Sequence, residues 1–304
     1  MGAMNFAKRI ALFLLVNFLV VATISIVMNV LGVRPYLTAY GLDYPSLMFF
    51  CAIWGIGGAL ISLMLSRQIA KWSLNVETIR PDTRNPDERA LYDMVEELAK
   101  RAHLSACPEV GIYRSKEVNA FATGPSAKRG LVAVSTGLLE QLNKEQLRGV
   151  LGHEIGHIAN GDMVTMTLLQ GVVNAFVMFL ARILASVFSG VGRNRENQSL
   201  ASYFLFLYVF EFTFMILGSM IIAFYSRFRE FRADAAGARL ASKSSMISAL
   251  KALQFSQEVR DPRSEKPALA AFKISQPKKA GLLLSLFASH PPLTERIARL
   301  EKTV

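Results

Sequence analysis

Cysteine is scarce in this chain. Of 304 residues only Cys51 and Cys107 carry a thiol, which excludes a disulfide-stapled scaffold and agrees with a reducing compartment. Charge is scarce as well, at 19% of residues against 52% hydrophobic, where a soluble domain carries about 25%. A composition this apolar is neither disordered nor fibrous. No Gly-x-Ser-x-Gly elbow occurs, which disfavours serine hydrolysis, and no internal repeat or low-complexity tract is present. Histidine is limited to His103, His153, His157 and His290, so any clustering among the four is informative. What the chain does have is apolar length and basic charge. Its mean hydropathy is +0.32, its net charge +11 and its pI near 9.8. Such a surplus suits nucleic acid, acidic lipid or the cytoplasmic flanks of membrane helices, and the position of the charges decides among them.

Met1 to Ala3, ahead of a second methionine at Met4, read as an added leader and carry no fold information. Residues 10–32 contain no charge; at about 1.5 Å per residue they cross a hydrocarbon core of about 30 Å. A signal peptide's apolar region is only about 7–15 residues long, so an uncleaved helix is expected. A second span is expected over Ser46–Ser66, where Gly55, Gly57, Gly58 and Ala59 allow close helix approach and leave an oligomer open. Residues 67–162 are mixed and polar. A helix is expected from Pro86, with Leu91, Met94, Val95 and Leu98 on one face. Strands are expected at Val110–Tyr113, Val118–Thr123 and Leu131–Ser135, and a further helix over Lys144–Ala159. Two more apolar stretches, Met163–Phe188 and Ser202–Ser226, carry Arg182 and Glu211. They read as a membrane hairpin rather than one buried in the soluble domain, with Arg182 either snorkelling or pairing with Glu211. Helices are expected again near Phe231–Leu240, Met246–Val259 and Leu293–Glu301, and the Pro- and Lys-rich stretch 261–281 reads as a loop.

Four spans put both termini on one side. The flanks there hold Lys8, Arg9, Arg67, Lys71, Arg227, Arg229 and Arg232, against Arg34, Arg193 and Arg195 opposite. That asymmetry favours cytoplasmic termini and soluble segments. It also explains most of the basic charge through lipid and topology, so no nucleic-acid partner is expected.

Within the 144–159 helix stands His153-Glu154-Ile155-Gly156-His157. Histidines four apart project from one helical face, where both imidazoles can bind one metal, and the adjacent Glu154 can act as general base. Composition predicts about 0.004 such matches by chance. A catalytic zinc takes three protein ligands and keeps a fourth position open. No third histidine follows at close spacing, so a carboxylate from farther along the chain is expected. Glu230 and Asp234 lie four apart beyond the last span. One of them binds metal while the other holds a ligand imidazole, or the two are an exposed pair neutralised by Arg229 and Arg232. His103 and Cys107 are also four apart, but without two further ligands they read as structural. Only six residues separate His157 from Met163, about 9 Å of helix, so the metal site is expected beside the membrane.

Taken together, His153–His157 followed by Asp162, the Glu230–Asp234 pair, the run Asn119-Ala120-Phe121-Ala122-Thr123-Gly124 and His290-Pro291-Pro292 resemble the HtpX membrane metalloproteases, bacterial relatives of the CAAX prenyl protease. The resemblance covers nearly the whole chain. It implies that His153, His157 and Glu230 hold one catalytic Zn2+, that Glu154 is the base, and that Asp234 orients a ligand imidazole. It implies that His290 stabilises the oxyanion with Arg296 in support, and that Asn119, Ala120, Phe121 and Ala122 form an edge strand on which an extended substrate lies. The expected fold is α+β, mainly α: about four transmembrane helices and a cytoplasmic zincin-like metalloprotease domain with a small β-sheet. Residues 4–66 supply two spans, 67–162 and 227–304 the two parts of the protease domain, and 163–226 the membrane hairpin. The expected function is zinc-dependent hydrolysis of misfolded or unfolded membrane proteins at the cytoplasmic face of the bacterial inner membrane, serving membrane protein quality control. A four-span channel or transporter with a metal-binding regulatory domain is the competing class, weakened because the first two spans carry no ionisable residue.

Overall fold

The structure is a computed structural model that describes residues 18–19, 21–32, 37–38, 41–190, 200–259 and 287–302. Met1–Ala3, the start of the first expected span and the 261–281 loop lie outside them. The chain divides into two units, one of residues 1–62 and 166–222, the other of residues 63–165 and 223–304.

The first unit is built from apolar helices. Val21–Val30 is helical (α1), and Leu37–Thr38 (β1) pairs antiparallel with Gly41–Leu42 (β2). Three long helices contribute to this unit: α2, Tyr44–Leu74; α6, Asp162–Ser189; and α7, Leu200–Leu240. Among the described residues these three are long and apolar enough to cross a membrane. Only 17%, 17% and 11% of their apolar windows are buried. An outward apolar surface of that extent suits lipid better than the interior of a soluble domain. A turn of π-helix at Ile53–Gly57 interrupts α2. There Gly55 meets α6 at backbone distance: a Cβ on it would lie 2.5 Å from the Ala175 nitrogen and 2.7 Å from the Gly171 oxygen. Arg182 pairs with Glu211, Nη1 to Oε1 at 2.7 Å, and its guanidinium stacks 5.2 Å over the Phe50 ring. The two charges expected inside the hairpin therefore do meet.

The second unit is α+β. Its helices are α3 (Pro86–Arg101), α4 (Thr136–Gln141), α5 (Lys144–Asn160), α8 (Lys243–Val259) and α9 (Leu293–Lys302). Its strands are β3 (Glu77–Thr78), β4 (Glu109–Tyr113), β5 (Ala120–Thr123) and β6 (Leu131–Ser135). They form one mixed sheet in the order β3-β4-β6-β5, with β4 and β6 parallel and β5 antiparallel to β6. Every residue of β6 is buried, as a central strand covered on both faces requires. The core joins Leu91, Val95 and Leu98 of α3 to Leu147, Val150, Leu151 and Ile155 of α5, and to Met246, Leu250 and Leu253 of α8. The ends of α3 and α5 are specified locally. Asn85 caps α3 through the Asp87 amide at 3.0 Å. Asn143 and Gln146 form a reciprocal capping box on α5, and Gly161 closes that helix in the left-handed region at φ 67°.

Three expectations change. β5 starts at Ala120 rather than Val118, because Asn119 is tied by its amide to the Ser135 side chain at 3.1 Å. The two-residue strand β3 and the six-residue α4 are additions to the expected elements, each with too little pattern to be seen in sequence. The stretch 231–240 is no separate helix: with no Gly or Pro between Ser226 and Phe231, α7 runs unbroken for 41 residues.

What places α5 against the last part of α7 is an absence of side chains. A Cβ on Gly156 would lie 2.8 Å from the Ala236 Cβ, and one on Gly152 would lie 3.3 Å from the Gly237 Cα and oxygen. Gly237 in turn lies against the backbone of His153. Gly156→Val should therefore force the helices apart and lower stability by about 1–3 kcal/mol. Thermal unfolding of the purified protein in detergent measures this, and an unchanged midpoint would contradict the packing.

Candidate metal centre

The close contact of α5 with α7 brings three metal-ligating side chains together. His153 and His157, four apart on one face of α5, have their Nε2 atoms 3.2 Å apart. Glu230 of α7 lies across from them, with Oε2 3.5 Å from His153 Nε2 and Oε1 3.4 Å from His157 Nε2. Among the described residues this is the one group of three whose ligand atoms all fall within 4.8 Å of one another. All three are buried, Glu230 completely. His103 and Cys107 join no third ligand there, and the Cys107 thiol donates to the Pro108 carbonyl at 3.4 Å.

A separate carboxylate braces each imidazole from behind. His153 Nδ1 lies 2.9 Å from Asp234 Oδ1, and His157 Nδ1 lies 2.7 Å from Asp162 Oδ2. Such a partner fixes the tautomer, so that Nδ1 donates and the Nε2 lone pair faces inward. Asp234 is gripped in turn by Arg296 of α9, fully buried, with Nε to Oδ2 at 2.8 Å and Nη2 to Oδ1 at 2.5 Å. Arg296 thus supports the ligand side of the site. Asp162, quoted in the sequence motif without a role of its own, is the brace that sequence reasoning missed. Its signal was its place straight after the left-handed Gly161, where the chain turns from α5 into α6.

The donor set fits a cation. Glu230 is completely buried, and its closest polar contacts are imidazoles, His290 Nδ1 at 2.8 Å from Oε2 and the Nε2 atoms of His153 and His157 at 3.5 and 3.4 Å, while Arg296 Nη1 at 3.6 Å and Arg229 Nε at 3.8 Å stand off. Two inward imidazole lone pairs and two buried carboxylate oxygens repel one another unless a metal ion or protons lie among them. Without metal, protons serve. Burial disfavours a charged His157, but the Asp162 contact and the Glu230 carboxylate outweigh it and push the imidazole up to about 9. His153 is raised as well, burial being outweighed by Asp234 and Glu230.

The other expected residues gather nearby. Glu154 follows His153 on α5 and is 4% exposed. His290 places Nδ1 2.8 Å from Glu230 Oε2. Asn119 is 3% exposed and leads into β5, an edge strand of the sheet, and α5 packs across that strand. The Tyr113 hydroxyl lies 3.5 Å from the Asn119 carbonyl. Burial pushes this phenol up to about 12 against that hydrogen bond, and the Glu154 carboxylate adds to the rise.

Residues 85–304 match Peptidase family M48. The chain belongs to that family. As an M48 peptidase it is a membrane-bound metalloprotease, and nothing in the comparisons supports a channel or transporter. It is 50% identical over 301 residues to "Protease HtpX homolog" of Methylacidiphilum infernorum, covering 97% of this chain and 98% of that protein. It is 48% identical over 302 residues to the "Protease HtpX homolog" of Bacillus subtilis, at 97% and 99% coverage. It is 47% identical over 298 residues to "Protease HtpX" of Chromohalobacter salexigens, at 97% and 98% coverage. The crystal structure of S. mikatae Ste24p shares its fold at a TM-score of 0.62 and 18% identity; the match covers 98% of this M48 chain but only 65% of that one.

The proton inventory sets a pH dependence. A raised imidazole pKa stabilises the metal-free fold below the ordinary value of 6.5, and that contribution is lost as pH rises through about 9. A metal needs the neutral imidazole, so binding expels the proton and apparent affinity climbs between pH 6.5 and 9. Titrating metal into lightly buffered protein at pH 7 should release protons, and a titration that releases none would contradict the assignment. Asp162→Asn should weaken metal binding about 10–100-fold, read from the same titration.

Proposed function

We propose that this chain is a zinc-dependent endopeptidase that hydrolyses peptide bonds of misfolded or unfolded membrane proteins, at the cytoplasmic face of the bacterial inner membrane, in membrane protein quality control. The observation that carries the reading is the buried His153–His157–Glu230 group, with each imidazole braced by its own carboxylate and the Glu230 oxygens facing both Nε2 atoms. Two imidazoles and one carboxylate with Glu154 alongside are the donor set of a catalytic rather than a structural zinc, because a fourth position stays open. His153 and His157 would hold the ion through Nε2, and Glu230 through a carboxylate oxygen. When bound, zinc supplies Lewis-acid polarisation of the attacking water and of the scissile carbonyl.

The remaining steps belong to the chain's own residues. Glu154 takes the proton of the attacking water and later delivers it to the departing amine. His290, beside Glu230, offers an N–H to the oxyanion that develops on the carbonyl oxygen. Asp162 and Asp234 keep the imidazole N–H groups pointing outward, and Arg296 keeps Asp234 ionised and in place. β5 accepts an extended substrate by strand addition, with Asn119 contacting its backbone and the side chains of Ala120, Phe121 and Ala122 shaping the approach.

The location follows from sequence order and charge. Met163 comes six residues after His157, Glu230 comes four after Ser226, and the basic residues concentrate on the flanks shared by both termini. A protease placed there meets cytoplasmic segments of membrane proteins.

Glu154→Gln should keep zinc and lose proteolysis by about 10²–10⁴-fold. Glu230→Ala should lose zinc itself. Metal analysis paired with casein cleavage, with and without chelator, separates the two outcomes. Casein cleavage that survives chelation, or full activity in a clean Glu154→Gln preparation, would overturn this function.

A further inference from the structure

The first unit holds a cleft of ≈ 700 Å³ among its apolar helices, and its lining includes Trp54, Asn174, Arg182, Tyr208 and Glu211. We propose that this cleft binds a transmembrane helix of the substrate, by taking up a polar or ionisable side chain that the helix carries within the membrane. The proposal rests on the protease function above and names the feature that marks a membrane protein as substrate.

Depth is the first argument. Asn174 stands about 18 Å along α6 from Asp162, and Glu211 about 16 Å along α7 from Leu200, so both fall within a hydrocarbon core of about 30 Å. Hydrocarbon offers no hydrogen bonds, and polar groups at this depth face protein or water. These groups are not fully covered. The Asn174 side chain is exposed and bonded only along its own helix, to Gln170 Nε2 at 2.8 Å. Glu211 keeps 29% of its side chain exposed while paired with Arg182. Tyr208 is 67% exposed. The Trp54 Nε1–H, on the π-helical turn, is buried without a hydrogen-bond partner.

Chemistry then selects the occupant. A lipid tail has neither donors nor acceptors for these groups. The described part of the first span, Val21–Val30, supplies none of the lining; it buries Ile24 and leaves Thr23 and Ser25 exposed. A substrate helix offers what is missing. Spans of assembled membrane proteins bury their polar residues against one another, and a span that is unassembled or misfolded leaves them facing lipid. A cleft with the Trp54 donor, the Asn174 amide, the Tyr208 hydroxyl and the Glu211–Arg182 pair matches such a side chain of either hydrogen-bonding sense, and rejects a purely apolar helix that cannot satisfy it.

The test uses full-length zinc-loaded protease in proteoliposomes and two single-span substrates with the same cytoplasmic cleavage segment. One span is Leu/Ala throughout, and the other carries a single central Asn. The expected result is a KM about 3- to 10-fold lower for the Asn span, the scale of one or two interhelical hydrogen bonds. Asn174→Leu and, independently, Trp54→Phe should shrink that difference while zinc content and casein cleavage stay at wild-type levels. A photocrosslinker at position 208 should capture the Asn span. Equal KM for the two spans, selectivity that survives both substitutions, or crosslinking only to a second copy of the protease or to residues 10–32 of its own chain overturns the proposal. Loss of casein cleavage by the wild-type enzyme would instead defeat the protease function, and the crosslink still reads the cleft on its own.

Discussion

The metal centre depends on two helices touching at backbone distance. Gly152 and Gly156 on α5 lie against Ala236 and Gly237 on α7, and this contact lets imidazoles from one helix reach a carboxylate on the other. The polar atoms of His153, His157 and Glu230 must converge within a few ångströms to share one ion, and they do. A side chain between the helices would add a spacing that the imidazoles cannot cross. Small residues here serve the same end as in membrane helix pairs, close approach, but the result is chemical rather than adhesive.

Around that contact the structure confines several charges to a dry volume. Glu154, Glu230, Asp162 and Asp234 are buried together with Arg296 and both histidines. Isolated, each would cost several kcal/mol; arranged in layers they support one another. Arg296 fixes Asp234, Asp234 fixes His153, and Asp162 fixes His157 from the start of α6. Glu230 faces both Nε2 atoms and His290 Nδ1, and the lone pairs that converge there are reconciled by a metal ion or by protons. The same layering makes the site sensitive to substitutions that never touch a ligand.

The first unit follows a different rule. Its helices turn apolar surface outward, and Trp54, Asn174, Arg182, Tyr208 and Glu211 line one cleft among them. The Arg182–Glu211 pair resolves the costliest part of that cluster internally. The groups around it, Asn174 and Tyr208 among them, retain exposed hydrogen-bonding capacity.

Much of this was legible in the linear sequence. The His-Glu-x-x-His spacing, the apolar spans, the helix start at Pro86 and the amphipathic face of α3 are local patterns, and each is decided by residues within a turn or two of one another. Glu230 was legible as one of two candidates, because spacing alone treats Glu230 and Asp234 alike. The fold separates them: Glu230 faces both Nε2 atoms, while Asp234 faces the Nδ1 side and Arg296. The bracing role of Asp162, the run of α7 through 226–231 and the short strand β3 were decided by tertiary contact as well, since each depends on a partner distant in sequence or on a pattern too short to read. Sequence by itself determined which chemistry this protein carries, because metal ligation requires particular side chains at helical spacing. Only the tertiary structure decided which carboxylate faces the metal position and which ones hold the ligands, because that choice is made by the crossing of two helices joined through residues 161–199.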